Sequence, residues 1–170
     1  MNKEQLYVKF YNSVESWFRS HEKALSVLEF LYKYMSWGIA AAYGVLILYC
    51  LSEKDAFTTV KVITVPLTAF IVVSVLRYCM DFKRPYTKYP INPLIHKDKA
   101  GESMPSRHML SITIIAMVWL YVYAPVGIIL WVLSAVMGVV RVLAGVHFPR
   151  DIVVAALISI MFGYAGLWIL

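Results

Sequence analysis

The sequence predicts an all-α protein: a polytopic membrane helix bundle with about five transmembrane helices and an N-terminal amphipathic interfacial helix. Three observations carry the prediction. Hydrophobic residues make up 61% of the 170-residue chain and the mean hydropathy is +0.68, where soluble domains hold roughly 45–50% apolar residues. The apolar residues gather in runs of roughly 20, the length that crosses a hydrocarbon core of about 30 Å. Short polar turns separate these runs, with one long polar connection at 81–105. Residues 1–170 therefore read as a single membrane domain.

The first element is an amphipathic helix within 1–23. Leu6, Phe10, Val14, Trp17 and Phe18 share one face at helical spacing. Such a helix rests in the membrane interface or packs on the rest of the protein. A segment from Ala24 then leads into the first span, Tyr34 to Leu51, which the polar stretch SEKDAF ends. The second span runs from Thr58 to Met80. Lys61 near its start and Arg77 near its end are both within snorkelling reach of an interface.

The connection 81–105 is long for a compact domain and is therefore suspected of function. Pro85, Pro90, Pro93 and Gly101 argue against a long helix within it. The third span runs from Ser106 to Tyr123, and Ala124 and Pro125 make a tight turn. The fourth runs from Val126 to Ala144 and the fifth from Pro149 to Leu170. Pro149 suits a first helical turn, where a missing N–H costs nothing.

The formal net charge is +6. The basic residues sit at helix ends and in one loop, so membrane lipids or a phosphate substrate are the expected partners and nucleic acid is not. Cys50 and Cys79 lie in apolar runs and read as packing residues. Nothing resembles a clustered Cys/His metal site, and no cofactor is expected. The stretch Arg141–Asp151, RVLAGVHFPRD, places ionisable groups between two apolar runs. At membrane depth such groups are costly and read as functional.

Alternation of the spans gathers the chemistry. The end of span two, the start of three, the end of four and the start of five must share one side of the membrane. Arg77, Arg84, Ser106, Arg107, His108, Arg141, His147 and Asp151 all belong to those ends. Guanidinium groups bind phosphate oxygens in a planar, often bidentate way. The start of span three adds backbone N–H donors, and Ser106 is placed to cap that helix, to donate to a phosphate, or both. A neutral His147 with Asp151 behind it reads as a nucleophile and its orienter. A protonated His108 reads as the acid for a leaving oxygen. His21 and His96 lack such neighbours and read as solvated.

These residues resemble the three-part signature of the type 2 phosphatidic acid phosphatase superfamily. Its first part, a lysine, six residues, then Arg-Pro, reads RYCMDFKRP from Arg77 to Pro85, with arginine for lysine. Its second, Pro-Ser-Gly-His, reads PSRH from Pro105 to His108, with Arg107 for glycine. Its third, Ser-Arg, five residues, His, three residues, Asp, reads VRVLAGVHFPRD from Val140 to Asp151, with Val140 for serine.

The resemblance implies a metal-independent lipid phosphatase working through a phosphohistidine. His147 matches the nucleophile, Asp151 its partner and His108 the general acid. Arg77, Arg84, Ser106 and Arg141 match the phosphate-holding residues, with Arg107 beside them. The implied substrates are isoprenyl diphosphates such as undecaprenyl diphosphate, phosphatidylglycerol phosphate and phosphatidic acid. The signature also occurs in soluble vanadium haloperoxidases, a branch that the apolar spans argue against. Two other readings stay open: a non-catalytic protein that binds or translocates anionic lipids, and a lipid phosphotransferase.

The resemblance also implies a bacterial cell membrane with the site on its extracytoplasmic face. The positive-inside rule alone would put that face in the cytoplasm. Lys83, Lys88, Lys97, Lys99 and Arg150 are placed to meet an anionic headgroup or to serve as ordinary interfacial charge. Tyr86 and Tyr89 read as interfacial aromatics.

Overall fold

In the structure, a computed structural model that describes residues 2–170, the apolar runs are helices joined by tight turns, except at 81–106. Met1 and the side chain of Lys3 lie outside the described residues. The helices are α1 (Lys3–Ser20), α2 (Glu22–Glu53), α3 (Ala56–Met80), α4 (Pro85–Lys88), α5 (Arg107–Val122), α6 (Ala124–Leu143) and α7 (Pro149–Tyr164). A π-helical turn, Ala165–Ile169, extends α7.

Two elements differ from the sequence reading. The segment from Ala24 and the first span are one continuous helix of 32 residues, about 48 Å long at 1.5 Å per residue. It exceeds the hydrocarbon thickness, and its surplus is the N-terminal part that bears Glu22, Lys23, Glu29 and Lys33. The third expected span, α5, has only 16 residues, about 24 Å. Four other helical segments are long and apolar enough to cross a membrane. Helix α5 lies at the centre of the bundle, packed against α2, α3, α6 and α7. It is apolar on every side, as a buried helix must be, and all but one of the residues from Met109 to Trp119 are buried.

Hydroxyl and indole groups tie the helices together, as suits a bundle in lipid. Ser159 Oγ donates to the Leu110 carbonyl at 3.1 Å. Thr113 and Ser134 share a hydrogen bond of 2.9 Å, and Trp119 Nε1 donates to the Ala42 carbonyl at 3.2 Å. Pro66 inside α3 has no N–H, so the Val62 carbonyl loses its helical partner. Tyr43 of α2 restores it by donating its hydroxyl at 3.0 Å. At the far end of the bundle Lys61 does not reach for water. Its ammonium donates to the Leu167 carbonyl at 3.3 Å and lies 4.4 Å from the Phe57 ring, which satisfies a carbonyl near the chain's helical C-terminus.

The outer surface is apolar. Trp37, Leu48 and Met161 are each about 70% exposed, too much exposed hydrocarbon for an aqueous surface. The α5–α6 turn is closed by Gly127, where a Cβ would stand 2.4 Å from the Leu120 nitrogen.

Helix α1 resolves both alternatives for its apolar face. Leu6, Phe10 and Trp17 point outward and are more than half exposed. The neighbouring stripe of Tyr7, Tyr11, Val14 and Phe18 points into the protein. Tyr11 is the anchor, buried to 2% exposure. Its hydroxyl donates to the Leu143 carbonyl at 3.3 Å and accepts from the Leu94 N–H at 3.1 Å. Tyr11→Phe strands that buried N–H, which costs about 1–3 kcal/mol. Thermal unfolding in detergent checks this: the variant is expected to melt lower, and an unchanged midpoint would remove the anchor role.

Candidate active site

Four helix ends meet at one end of the bundle, on the side covered by α1. The last turn of α3 brings Arg77 and the first turn of α5 brings Arg107 and His108. The last turn of α6 brings Arg141 and the first turn of α7 brings Asp151. The connection 81–106 supplies Arg84, Ser103 and Ser106. Backbone bonds lock the ends together. The Ser106 N–H donates to the Asp151 carbonyl at 3.1 Å, so the starts of α5 and α7 touch. Arg84 donates from Nε to the Gly101 carbonyl at 3.1 Å and from Nη1 to the Val146 carbonyl at 3.3 Å. Arg77 donates to the Pro105 carbonyl.

His147 sits in the turn between α6 and α7. Gly145 makes that turn, with φ +77, a conformation that glycine adopts without penalty. A Cβ there would also meet the Tyr11 hydroxyl at 2.3 Å. The result is a His147 with only 3% exposure. Its Nδ1 faces Asp151 Oδ2 at 3.5 Å, longer than a hydrogen bond and short enough to close when the site fills. Nε2 is the ring nitrogen on the side away from Asp151.

Asp151 is fully buried. Its Oδ2 accepts hydrogen bonds from Ser103 Oγ and, at 3.0 Å, from the Phe148 N–H. Those bonds hold the carboxylate as an acceptor at the N-terminus of α7, where the helix dipole also favours negative charge. Burial pushes the His147 imidazole below its ordinary pKa. Arg84 and Arg77 push the same way, and Asp151 pulls against them. The ring is therefore held neutral, with a free lone pair.

Four polar atoms of this cluster are buried without a hydrogen-bond partner: Arg77 Nε, Ser106 Oγ, His147 Nδ1 and Asp151 Oδ1. Arg77, Arg84 and Arg141 are all buried, at 2%, 8% and 2% exposure. Arg141 bonds the Ser36 hydroxyl at 3.1 Å and lies 4.0 Å from the Tyr32 ring, so α2 sets its orientation. Arg77 Nε and Ser106 Oγ are buried without a hydrogen-bond partner. Ser106 occupies the N-cap position of α5 but makes no side-chain cap bond. Burying a donor unsatisfied costs about 1–3 kcal/mol, a cost that a bound anion would remove. Of the carboxylates nearby, Asp151 is hydrogen-bonded through Oδ2, with its Oδ1 3.6 Å from Arg150 Nε, and Glu102 pairs with Lys99 at 2.6 Å and Arg77 at 4.0 Å.

His108 is exposed, at the start of a helix buried from Met109 to Trp119 except at Ser111. It lies within electrostatic reach of Arg141, His147 and Arg107. Arg107 is also exposed at the rim. The two histidines thus stand at different depths, His147 at the bottom and His108 at the mouth. His21 and His96 are exposed and lie outside this cluster.

Several residues escaped the sequence reading. Ser103 on Asp151, and Tyr32 and Ser36 on Arg141, are ordinary residues outside any spacing signal. Tyr7, packed on Tyr89 at 5.2 Å and Phe148 at 5.3 Å between ring centroids, had only its helical phase to mark it. The expected headgroup cations are partly engaged: Lys88 lies over Tyr89, Lys97 over Tyr32 and Arg150 over Phe148. Tyr86 and Tyr89, expected at the interface, are half-buried, and the Tyr86 hydroxyl donates to the Lys99 carbonyl at 2.6 Å. Cys50 and Cys79 are free thiols, one buried and one exposed.

Comparison with known proteins supports the fold. The structure is similar to the crystal structure of Aquifex aeolicus LpxE, with TM-score 0.62 and 21% identity over 84% of this chain and 93% of that one. It is also similar to the crystal structure of a transmembrane PAP2 type phosphatidylglycerolphosphate phosphatase from Bacillus subtilis. There the TM-score is 0.56 and the identity 17%, over 98% of this chain and 94% of that one. At these identities the likeness is one of fold. No curated protein sequence matches the chain. The PAP2 superfamily model matches residues 58–170, which include every member of the cluster from Arg77 to Asp151. With two thirds of its length matched, including all the helix ends that meet here, this integral membrane protein belongs to the PAP2 superfamily.

Proposed function

We propose that the protein is a membrane lipid phosphatase that removes a terminal phosphate, or the terminal phosphate of a diphosphate, through a phosphohistidine. The observation that carries the reading is the pair of buried, unpartnered donors, Arg77 Nε and Ser106 Oγ, beside a neutral His147. A binding protein needs the cations but has no use for a buried imidazole backed by a carboxylate.

The phosphate oxygens lie among Arg77, Arg84, Arg141 and the Ser106 hydroxyl, with Arg107 at the rim. His147 Nε2 attacks phosphorus as the bond to the lipid oxygen breaks, and His108 gives that oxygen its proton. Asp151 accepts from Nδ1–H and stabilises the charge that forms on the ring. Water then attacks the phosphohistidine, His108 takes its proton, and inorganic phosphate leaves with His147 restored. The guanidinium groups supply most of the stabilisation of the charged transition state. Substrates in keeping with the reading are isoprenyl diphosphates, phosphatidylglycerol phosphate and phosphatidic acid.

The test is phosphate release by purified protein in detergent from a panel of lipid phosphates and diphosphates. Release from at least one lipid is expected. Binding without release would favour a carrier, and transfer to a second lipid would favour a phosphotransferase. The pH profile gives a further expected result. His147 must be neutral to attack, so kcat/KM falls as pH drops through its pKa. Because burial lowers that pKa, the acid limb is expected below about 6.5, the ordinary histidine value. An acid limb above that value would contradict the environment described for His147.

A further inference from the structure

The buried guanidinium groups of Arg77, Arg84 and Arg141, with the Ser106 hydroxyl, suffice for one phosphate group. Two further cations stand outside them, on the side of His108. Arg107 opens α5 one residue before His108 and is exposed, where the family signature has glycine. Lys97 comes from the connection 81–106 and is also exposed. Its ammonium lies 5.6 Å from the centre of the Tyr32 ring, the same ring that carries the Arg141 guanidinium at 4.0 Å. One aromatic ring thus ties Lys97 to the phosphate site. Both cations are within electrostatic reach of His108, and Arg107 is within reach of Arg77 as well.

No carboxylate is paired with these groups. Among the described residues, no ion pair includes Arg107, Lys97 or His108. Glu102 is within reach of Arg107 but is held by Lys99 at 2.6 Å and Arg77 at 4.0 Å. Asp98 faces His96 at 3.9 Å. The start of α5 adds its own partial positive charge at the same place. The side of His108 away from the buried arginines is therefore cationic and uncompensated, which complements a second anionic group.

The chemistry fixes what arrives there. The acid must touch the leaving oxygen. In the monophosphate of an alcohol that oxygen bears only carbon, and Arg107 and Lys97 meet no charge. In a diphosphate it bears a second phosphoryl group. The bond from the terminal phosphorus to the bridging oxygen then breaks as the bond to His147 Nε2 forms. The electron pair stays on the bridging oxygen, which takes its proton from His108. The departing lipid monophosphate keeps negative charge on its other oxygens, beside the two cations.

We propose that Arg107 and Lys97 form a second anion subsite on the leaving-group side of His108, and that these two residues select a lipid diphosphate over the monophosphate of the same lipid. The proposal rests on the phosphatase reading and deepens it.

Decyl phosphate and decyl diphosphate, which share one chain, test it. The unaltered protein is expected to favour the diphosphate in kcat/KM by about tenfold or more, the scale of one charge-assisted hydrogen bond. Arg107→Gln and Lys97→Gln are each expected to lower that preference, and Arg107→Lys to keep more of it than Arg107→Gln. Both residues are exposed, so the changes should cost little stability. Lys88→Gln removes a charge that lies over Tyr89 and beside α1, and is expected to leave the preference as it was. Equal kcat/KM on the two substrates overturns the subsite alone. So does a preference unchanged in both glutamine variants, a loss equal on both substrates, or the same fall in Lys88→Gln. Failure to release phosphate from any alkyl or lipid phosphate or diphosphate overturns the phosphatase reading and the subsite together.

Discussion

His147→Ala is expected to lower kcat for phosphate release by ~10⁴-fold or more, the scale on which loss of a nucleophile acts in other covalent mechanisms. The prediction is specific because the fold does not depend on this ring. Asp151 keeps its bonds from Ser103 and the Phe148 N–H, and Arg84 still holds the Val146 carbonyl. The variant is therefore expected to purify and to melt as a folded protein. It should also still bind a lipid phosphate, because Arg77, Arg84, Arg141 and Ser106 remain. Retained binding with lost turnover separates a nucleophile from a structural histidine. Full activity in the variant would remove the nucleophile assignment.

His108→Ala is expected to lose about 10²–10⁴-fold in kcat on alkyl or lipid phosphates, the range over which a positioned acid acts. The loss should depend on the leaving group. An aryl phosphate, whose phenolate leaves without a proton, is expected to lose far less. His108 is exposed and holds no other element in place, so the change should cost little stability. An equal loss on alkyl and aryl phosphates would make His108 a binding residue and not an acid.

The sequence reading succeeded where physics is periodic or costly. Length and hydropathy marked the spans, and alternation brought Arg77, Arg84, His108, Arg141, His147 and Asp151 to one end, where Ser106 and Asp151 touch. Buried charge is expensive enough to stand out in an apolar chain. What it could not give was which helix is central. A hydropathy run does not distinguish lipid from protein as its surroundings, so nothing in the sequence marked α5 as the enclosed helix of the bundle. Supporting contacts were hidden for a different reason. Ser103 against Asp151 and Ser36 against Arg141 join residues 48 and 105 apart, and no local pattern encodes a contact at that separation. The first span was read as ending at Leu51, two residues short of Glu53, and the segment from Ala24 that runs into it proved to be the same helix. His21 breaks helicity for a single residue, and α2 resumes at Glu22 without a proline or glycine to delay it.

The most direct measurement is to trap the reaction on the enzyme. Protein incubated with a lipid phosphate labelled in its terminal phosphoryl group, then quenched in alkali, is digested and its peptides sequenced by mass spectrometry. The mechanism proposed here puts an alkali-stable, acid-labile phosphoryl group on His147, more of it in a variant that slows attack by water, and none in His147→Ala. A phosphoryl group found on another residue would contradict it, as would undiminished labelling when His147 is replaced.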